Sequence, residues 1–181
     1  MSFSEKTLTK KTIFEGKVFD IECHTVRLDN EKDAYREVVV HNGGAAIIAF
    51  DDEDNIFLVK QYRKGAEREM FEIPAGKLEK GENPMDCAVR ELGEEIGADA
   101  KEVSLLSEFF VTPAYCSEKI SVYMAKGLSY HSQKLDEDEF LEIIKIPFNK
   151  AYEMVMSGEI IDAKTIIAIL KAKEIKNKPF G

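Results

Sequence analysis

Apolar and polar residues alternate through most of this chain at the two-residue period of strands, and helical spacing appears in only three places. Residues 12 to 41 read as β-rich, with TIFEGKVFDIECHTVRL followed by the polar turn LDNEKDA and a second run, YREVVVH. The turn signal Asn42-Gly43-Gly44 comes next, and AAIIAFD and NIFLVKQYR then read as two strands around the polar tip DDEDN. MFEIPAGKLEKGE starts as a strand and becomes a loop, because Pro74, Gly76 and Gly81 deny it regular structure.

The period then changes. Met85, Ala88, Val89, Leu92 and Ile96 recur at intervals of three and four and predict a helix over 84–96 with that stripe facing the core. Asn83 can cap it, Pro84 suits its first position, Asp86 favours its positive end, and Gly97 supplies the stop. VSLLSEFFVTP and KISVYMAKGLS return to strand patterning, and an acidic loop, KLDEDE, leads to a last strand, FLEIIKIPF. Two helices close the chain: NKAYEMVMSG, stopping at Ser157-Gly158, and AKTIIAILKAKEIK, capped by Asp162, with Ile166, Ile167, Ile169 and Leu170 as its apolar face.

Composition narrows the class without adding elements. At 181 residues, with 44% apolar and 33% charged residues, the chain can bury one good core and is neither disordered nor collagenous. A net charge of −9 and the lack of a basic stripe with interleaved aromatics argue against nucleic acid or an anionic membrane as partner. The scattered Cys23, Cys87 and Cys116 suggest neither a disulfide framework nor a zinc site. His24, His41 and His131 have no ligand spacing. With no apolar leader in MSFSEKTLTKKTIFEG and no run near the roughly 18 apolar residues of a membrane span, a cytoplasmic protein is expected.

The chemistry concentrates on the first helix. At roughly 3.6 residues per turn, Glu91, Glu94 and Glu95 share a flank beside the apolar stripe. A solvated acidic face is the ordinary reading of such a cluster. Against it, like charges at these spacings repel, and Glu94 and Glu95 lie at the negative end of the helix dipole, so a compensating positive charge is expected. A hard divalent cation that also engages phosphate oxygens would supply it.

Residues 76 to 98, GKLEKGENPMDCAVRELGEEIGA, resemble the Nudix box: Gly76, Glu82, Arg90, Glu91, Leu92, Glu94, Glu95 and Gly97 fill its positions, with Ala98 in the final apolar place. EIPAGKLEKGE, VTPAYCSEK, LDEDEFLE and GEIIDAKTIIAIL extend the similarity towards the ADP-ribose pyrophosphatase branch of the family, and Pro113 stands about fifteen residues beyond the box, as in that branch. The resemblance implies an α/β fold, the Nudix α/β/α sandwich with a mixed β-sheet, preceded by a small antiparallel N-terminal β unit. It divides the chain into a dimer-forming unit over 1–42 and a catalytic domain over 43–181. It implies Mg2+, with Mn2+ as substitute, and hydrolysis of ADP-ribose to AMP and ribose 5-phosphate. Another nucleoside diphosphate sugar such as GDP-mannose, or a catalytically silent nucleotide sensor, is the alternative.

Roles follow from the resemblance residue by residue. Glu91, Glu95 and the Ala75 carbonyl match metal ligands, Glu94 the third box carboxylate, and Arg90 a group that orients them, with a surface ion pair as its alternative. In the acidic loop, Glu137 matches a catalytic base and Glu139 a further metal ligand; the two can exchange roles. Arg36, Glu37, Arg63, Pro113 and Glu118 match substrate-binding positions, and Val18 and Phe19 match an adenine sandwich. Where the branch often reads Ser-Pro-Gly, this chain has Thr112-Pro113-Ala114, which changes how closely the loop backbone can approach a sugar. A homodimer exchanging N-terminal strands completes the implied picture.

Overall fold

The computed structural model describes residues 3–135 and 140–177, so Glu137 and Glu139 lie outside the described residues. In chain order its strands are β1 (Lys6–Glu15), β2 (Asp20–Arg27), β3 (Asp33–Val40), β4 (Gly44–Ala49), β5 (Asn55–Arg63), β6 (Arg68–Glu72), β7 (Ala75–Lys77), β8 (Ala98–Phe110), β9 (Lys119–Tyr130) and β10 (Leu141–Pro147). Helix α1 (Pro84–Glu91) continues as a π-helical turn, Leu92–Ile96, and α2 (Phe148–Ser157) and α3 (Ala163–Asn177) follow β10. The chain forms two compact units, Met1–Gly43 with Phe110–Lys119, and Gly44–Phe109 with Ile120–Gly181.

In the first unit, β1, β2 and β3 make an antiparallel sheet in that order. The single run expected over 12–28 is divided by a turn at Gly16–Phe19, where the Gly16 N–H donates to Asp20 Oδ1 at 3.1 Å. The first strand begins earlier than its pattern shows because it is exposed along its whole length and so has no apolar face to mark it. The segment 110–119 joins this unit: the Val39 N–H donates to the Tyr115 carbonyl at 2.7 Å, and the Ser117 N–H to the Val39 carbonyl at 2.9 Å.

In the second unit, β4 explains the layering. Six consecutive small and aliphatic residues, GAAIIA, are all buried, which requires cover on both faces. Ala46 and Ile48 point into a core with Ile160, Ala168 and Ile169, against α2 and α3. Ala45, Ile47 and Ala49 point the other way, into a core with Cys87, Ala88, Leu92 and Ile96 of α1. Strand β4 runs parallel to β9 and antiparallel to β7 in the order β7-β4-β9-β8, a mixed sheet between helical layers. A second sheet, β10-β5-β6, is antiparallel. The acidic tip DDEDN turns a corner between the two sheets: β4 and β5 belong to different sheets, and Phe50, just beyond β4, makes an isolated bridge to Ile56. The α/β/α arrangement with a mixed sheet and a preceding antiparallel unit is the expected fold.

Two apolar faces are rotated from their predicted positions. On α1, Met85 is 43% exposed, whereas Cys87 is fully buried beside Ala88 and Leu92. Packing under the 76–77 backbone selects the smaller thiol. On α3 the buried face is Thr165, Ala168, Ile169 and Ala172, with Leu170 exposed. The aliphatic residues of α3 surround the helix, so its own pattern specifies no face, and close packing favours the small side chains.

Candidate active site

The first helix is assembled from local signals. Asn83 Oδ1 accepts from the Met85 N–H at 2.9 Å, Pro84 takes the first turn, and Gly97 ends the helix at φ 70°, ψ 45°. Between them, the last turn widens from α to π geometry. In an α-helix four residues overshoot one turn by about 40°. A π turn closes on i→i+5 bonds and takes more residues, which changes the direction of Glu95 relative to Glu91 from that of an α-helix. The two are 7% and 2% exposed, on the core-facing side, whereas the side chain of Glu94 is 41% exposed. The three carboxylates therefore do not share one environment.

Burying carboxylates is costly without strong partners. Arg90 spans the cluster, with Nη1 donating to Glu91 Oε1 at 2.7 Å and to Glu94 Oε2 at 2.8 Å, and Nε to Glu82 Oε1 at 3.0 Å. Its hydrogen bond to Glu82 is the main reason that its own pKa rises and that Glu82 falls below the usual carboxylate range. Arg90 thus bridges three glutamates at once. The Gly76 loop closes the other side. A Cβ on Gly76 would stand 1.6 Å from Glu91 Oε1, so the carboxylate occupies the space that any side chain would need. The Ala75 N–H donates to Glu95 Oε2 at 3.1 Å, which brings that backbone to the second buried carboxylate. The Cys87 thiol lies beneath the Gly76 and Lys77 carbonyls, and burial pushes its pKa up to about 12.

This donor set is made of hard oxygens, and three carboxylates on one guanidinium leave negative charge in excess, which suits a divalent cation. Among the described residues no three His, Cys, Asp or Glu side chains form a ligand cluster by themselves. A backbone oxygen at Ala75 would have to complete the set with Glu91 and Glu95.

Arg63 ends β5 and is engaged by a residue that the sequence did not single out. Its Nε and Nη2 each donate at 2.7 Å to the two oxygens of Glu72, which is 1% exposed. Lys164 also donates to Glu72. Burial pushes the Glu72 carboxyl up, but the two cations more than offset it and hold it below the usual range. The available signal was a carboxylate set between the apolar Phe71 and Ile73.

The other substrate-binding candidates all belong to the first unit. Arg36 is forked on Glu5 through Nε and Nη2, and Glu37 is exposed on the same strand. Val18 and Phe19 form the exposed turn between β1 and β2, with the Phe19 ring 6.0 Å from that of Phe14. Pro113 is exposed in the 110–119 segment, and Glu118 Oε1 lies 3.6 Å from His41 Nδ1.

Comparison with known proteins agrees with this architecture. A family model described as the NUDIX domain matches residues 40–167. The chain is 46% identical over 177 residues to an ADP-ribose pyrophosphatase of Bacillus subtilis (strain 168), covering 96% of each. It is 42% identical over 169 residues to a methanol dehydrogenase activator of Bacillus methanolicus, covering 92% of this chain and 91% of the relative. A solved structure of an ADP compounds hydrolase superposes with a TM-score of 0.83 at 22% identity, covering 97% of this chain and 96% of the other, a likeness of fold.

Proposed function

The chain belongs to the Nudix family, and from that premise we propose that it hydrolyses the pyrophosphate of ADP-ribose to AMP and ribose 5-phosphate. One observation carries the reaction type: two buried glutamates gathered at one loop, Glu91 packed over the Gly76 backbone and held by Arg90, and Glu95 bonded to the Ala75 N–H. The substrate is supported by the relative named ADP-ribose pyrophosphatase, which matches 96% of this chain.

Family members are generally dependent on a divalent metal, and Mg2+ is the ion proposed here, with Mn2+ as substitute. Glu91, Glu95, the Ala75 carbonyl and Glu139 would hold it. Bound there, it supplies neutralisation of the pyrophosphate and a lowered pKa for water. The rest falls to the chain's own groups. Arg90 holds Glu82, Glu91 and Glu94 in place, and Arg63 presents its guanidinium to a phosphate. Glu137 takes the proton of the attacking water as the new oxygen–phosphorus bond forms, and the bridging oxygen leaves with the other phosphate. Arg36, Glu37, Glu118, Pro113, Val18 and Phe19 bind the nucleoside and terminal ribose. The reading includes a homodimer through the N-terminal unit. It also includes a cytoplasmic location, supported by three free cysteines and by the lack, among the described residues, of a helix able to cross a membrane.

The test is product analysis on ADP-ribose and GDP-mannose, with and without Mg2+. Metal-dependent release of AMP from ADP-ribose, reduced more than about a hundredfold in Glu95→Gln, is expected, since a ligand should matter more than an outer-shell partner. Preference for GDP-mannose would transfer the substrate assignment, and full activity in Glu95→Gln would remove the mechanism.

A further inference from the structure

Four consecutive residues leading into the Gly76 loop are tied between them to β5, α3, β4 and the π turn. The side chain of Glu72 is held by Arg63 of β5 and Lys164 of α3. The Ile73 N–H donates to Thr165 Oγ1 at 2.9 Å. The Pro74 carbonyl accepts from the Ile47 N–H of β4 at 2.9 Å. The Ala75 N–H donates to Glu95 of the π turn at 3.1 Å. Two of these five partners, Lys164 and Thr165, come from the first turn of α3, and that turn is internally braced. Asp162 Oδ2 accepts from the Thr165 N–H at 3.0 Å and from Thr165 Oγ1 at 2.6 Å, and stands 3.1 Å from Lys164 Nζ.

Thr165 is fully buried and Glu72 nearly so, which makes their hydrogen bonds costly to leave unmade. The hydroxyl of Thr165 has a directed role: it donates to Asp162, which orients its lone pairs to accept from Ile73. Glu72 uses Nε and Nη2 of Arg63, so the fork is fixed in the plane of the carboxylate while Nη1 takes no part in that pair.

We infer that the first turn of α3, through Lys164 and Thr165, positions the Ala75 backbone and the Arg63 guanidinium for the reaction. These are positioning residues, acting through Glu72 and Ile73 on the groups that meet cation and phosphate. The inference rests on the proposed reading of Ala75 as a cation ligand and Arg63 as a phosphate ligand.

The experiment compares the full-length protein with Thr165→Val, which keeps the shape and removes the hydroxyl, and with Thr165→Ser, which restores it. Mn2+ binding without substrate is followed by titration calorimetry, kcat and KM for ADP-ribose are measured at saturating metal, and thermal unfolding is recorded for each variant. In Thr165→Val, Mn2+ binding should weaken about tenfold, the lower end for outer-shell partners, with Thr165→Ser returning to the parent value. Lys164→Met should act mainly through Arg63, raising KM with a smaller effect on Mn2+. A Thr165→Val protein that unfolds at lower temperature but binds Mn2+ as the parent does would overturn the inference, leaving a merely structural threonine. Should Thr165→Val fail to fold, an unchanged KM in Lys164→Met overturns it. Should the parent bind Mn2+ without hydrolysing ADP-ribose, the substrate reading fails and the Mn2+ comparison still decides the positioning role.

Discussion

Gly76 and Cys87 show how far the site depends on single atoms. A methyl group at 76 would overlap Glu91, 1.6 Å from Oε1 and 2.1 Å from Cδ, so the Glu91 side chain would have to swing off its position. Gly76→Ala should therefore fold yet bind Mn2+ at least about tenfold more weakly, as expected when a ligand's support is lost, measured by calorimetry. Cys87 makes a contrasting prediction. With its thiol pKa pushed up to about 12 and its side chain fully buried, it should stay unmodified by alkylating reagents at neutral pH while the protein is native, as peptide mass mapping would show. Arg90 and its glutamates were legible in the sequence because their interactions span one or two helical turns. Glu72 was not, since nothing local indicates that its cation partner Lys164 lies 92 positions along the chain.

Among the elements, α1 was the most legible: its cap, its opening proline and its closing glycine all act within a few residues, and they delimit 84–96 as predicted. What the pattern missed was the π turn, because a period of three and four assumes the α geometry that the structure abandons at Leu92. The β4–β5 corner offers a test by pH. Burial pushes the Asp51 carboxyl up, but Lys145 and the Asn55 side chain and N–H overcome this and lower its pKa from 3.8 to about 2. A group depressed on folding stabilises the native state fully above its unfolded pKa, and that stabilisation is lost as pH falls through the folded value. Urea unfolding should therefore show Asp51→Asn less stable than the parent near neutral pH, with the two converging as pH is lowered towards about 2.

For the molecule as a whole, β1 carries the proposed association. It is an edge strand exposed throughout, with Leu8, Ile13 and Phe14 in solvent, and such edges pair readily with another chain. Sedimentation equilibrium should give a dimer, and Ile13→Lys with Phe14→Lys should shift it towards monomer; a monomeric parent would remove the homodimer from the proposal. The sequence by itself determined the family, the box helix and the identity of its carboxylates, because these rest on spacing and capping that act over a few residues. Only the tertiary structure decided which carboxylates are buried, which face of each helix meets the sheet, and that α3 braces the approach to Gly76. Those outcomes depend on packing between segments far apart in the chain, where a neighbour's volume and charge, rather than local periodicity, set the free energy.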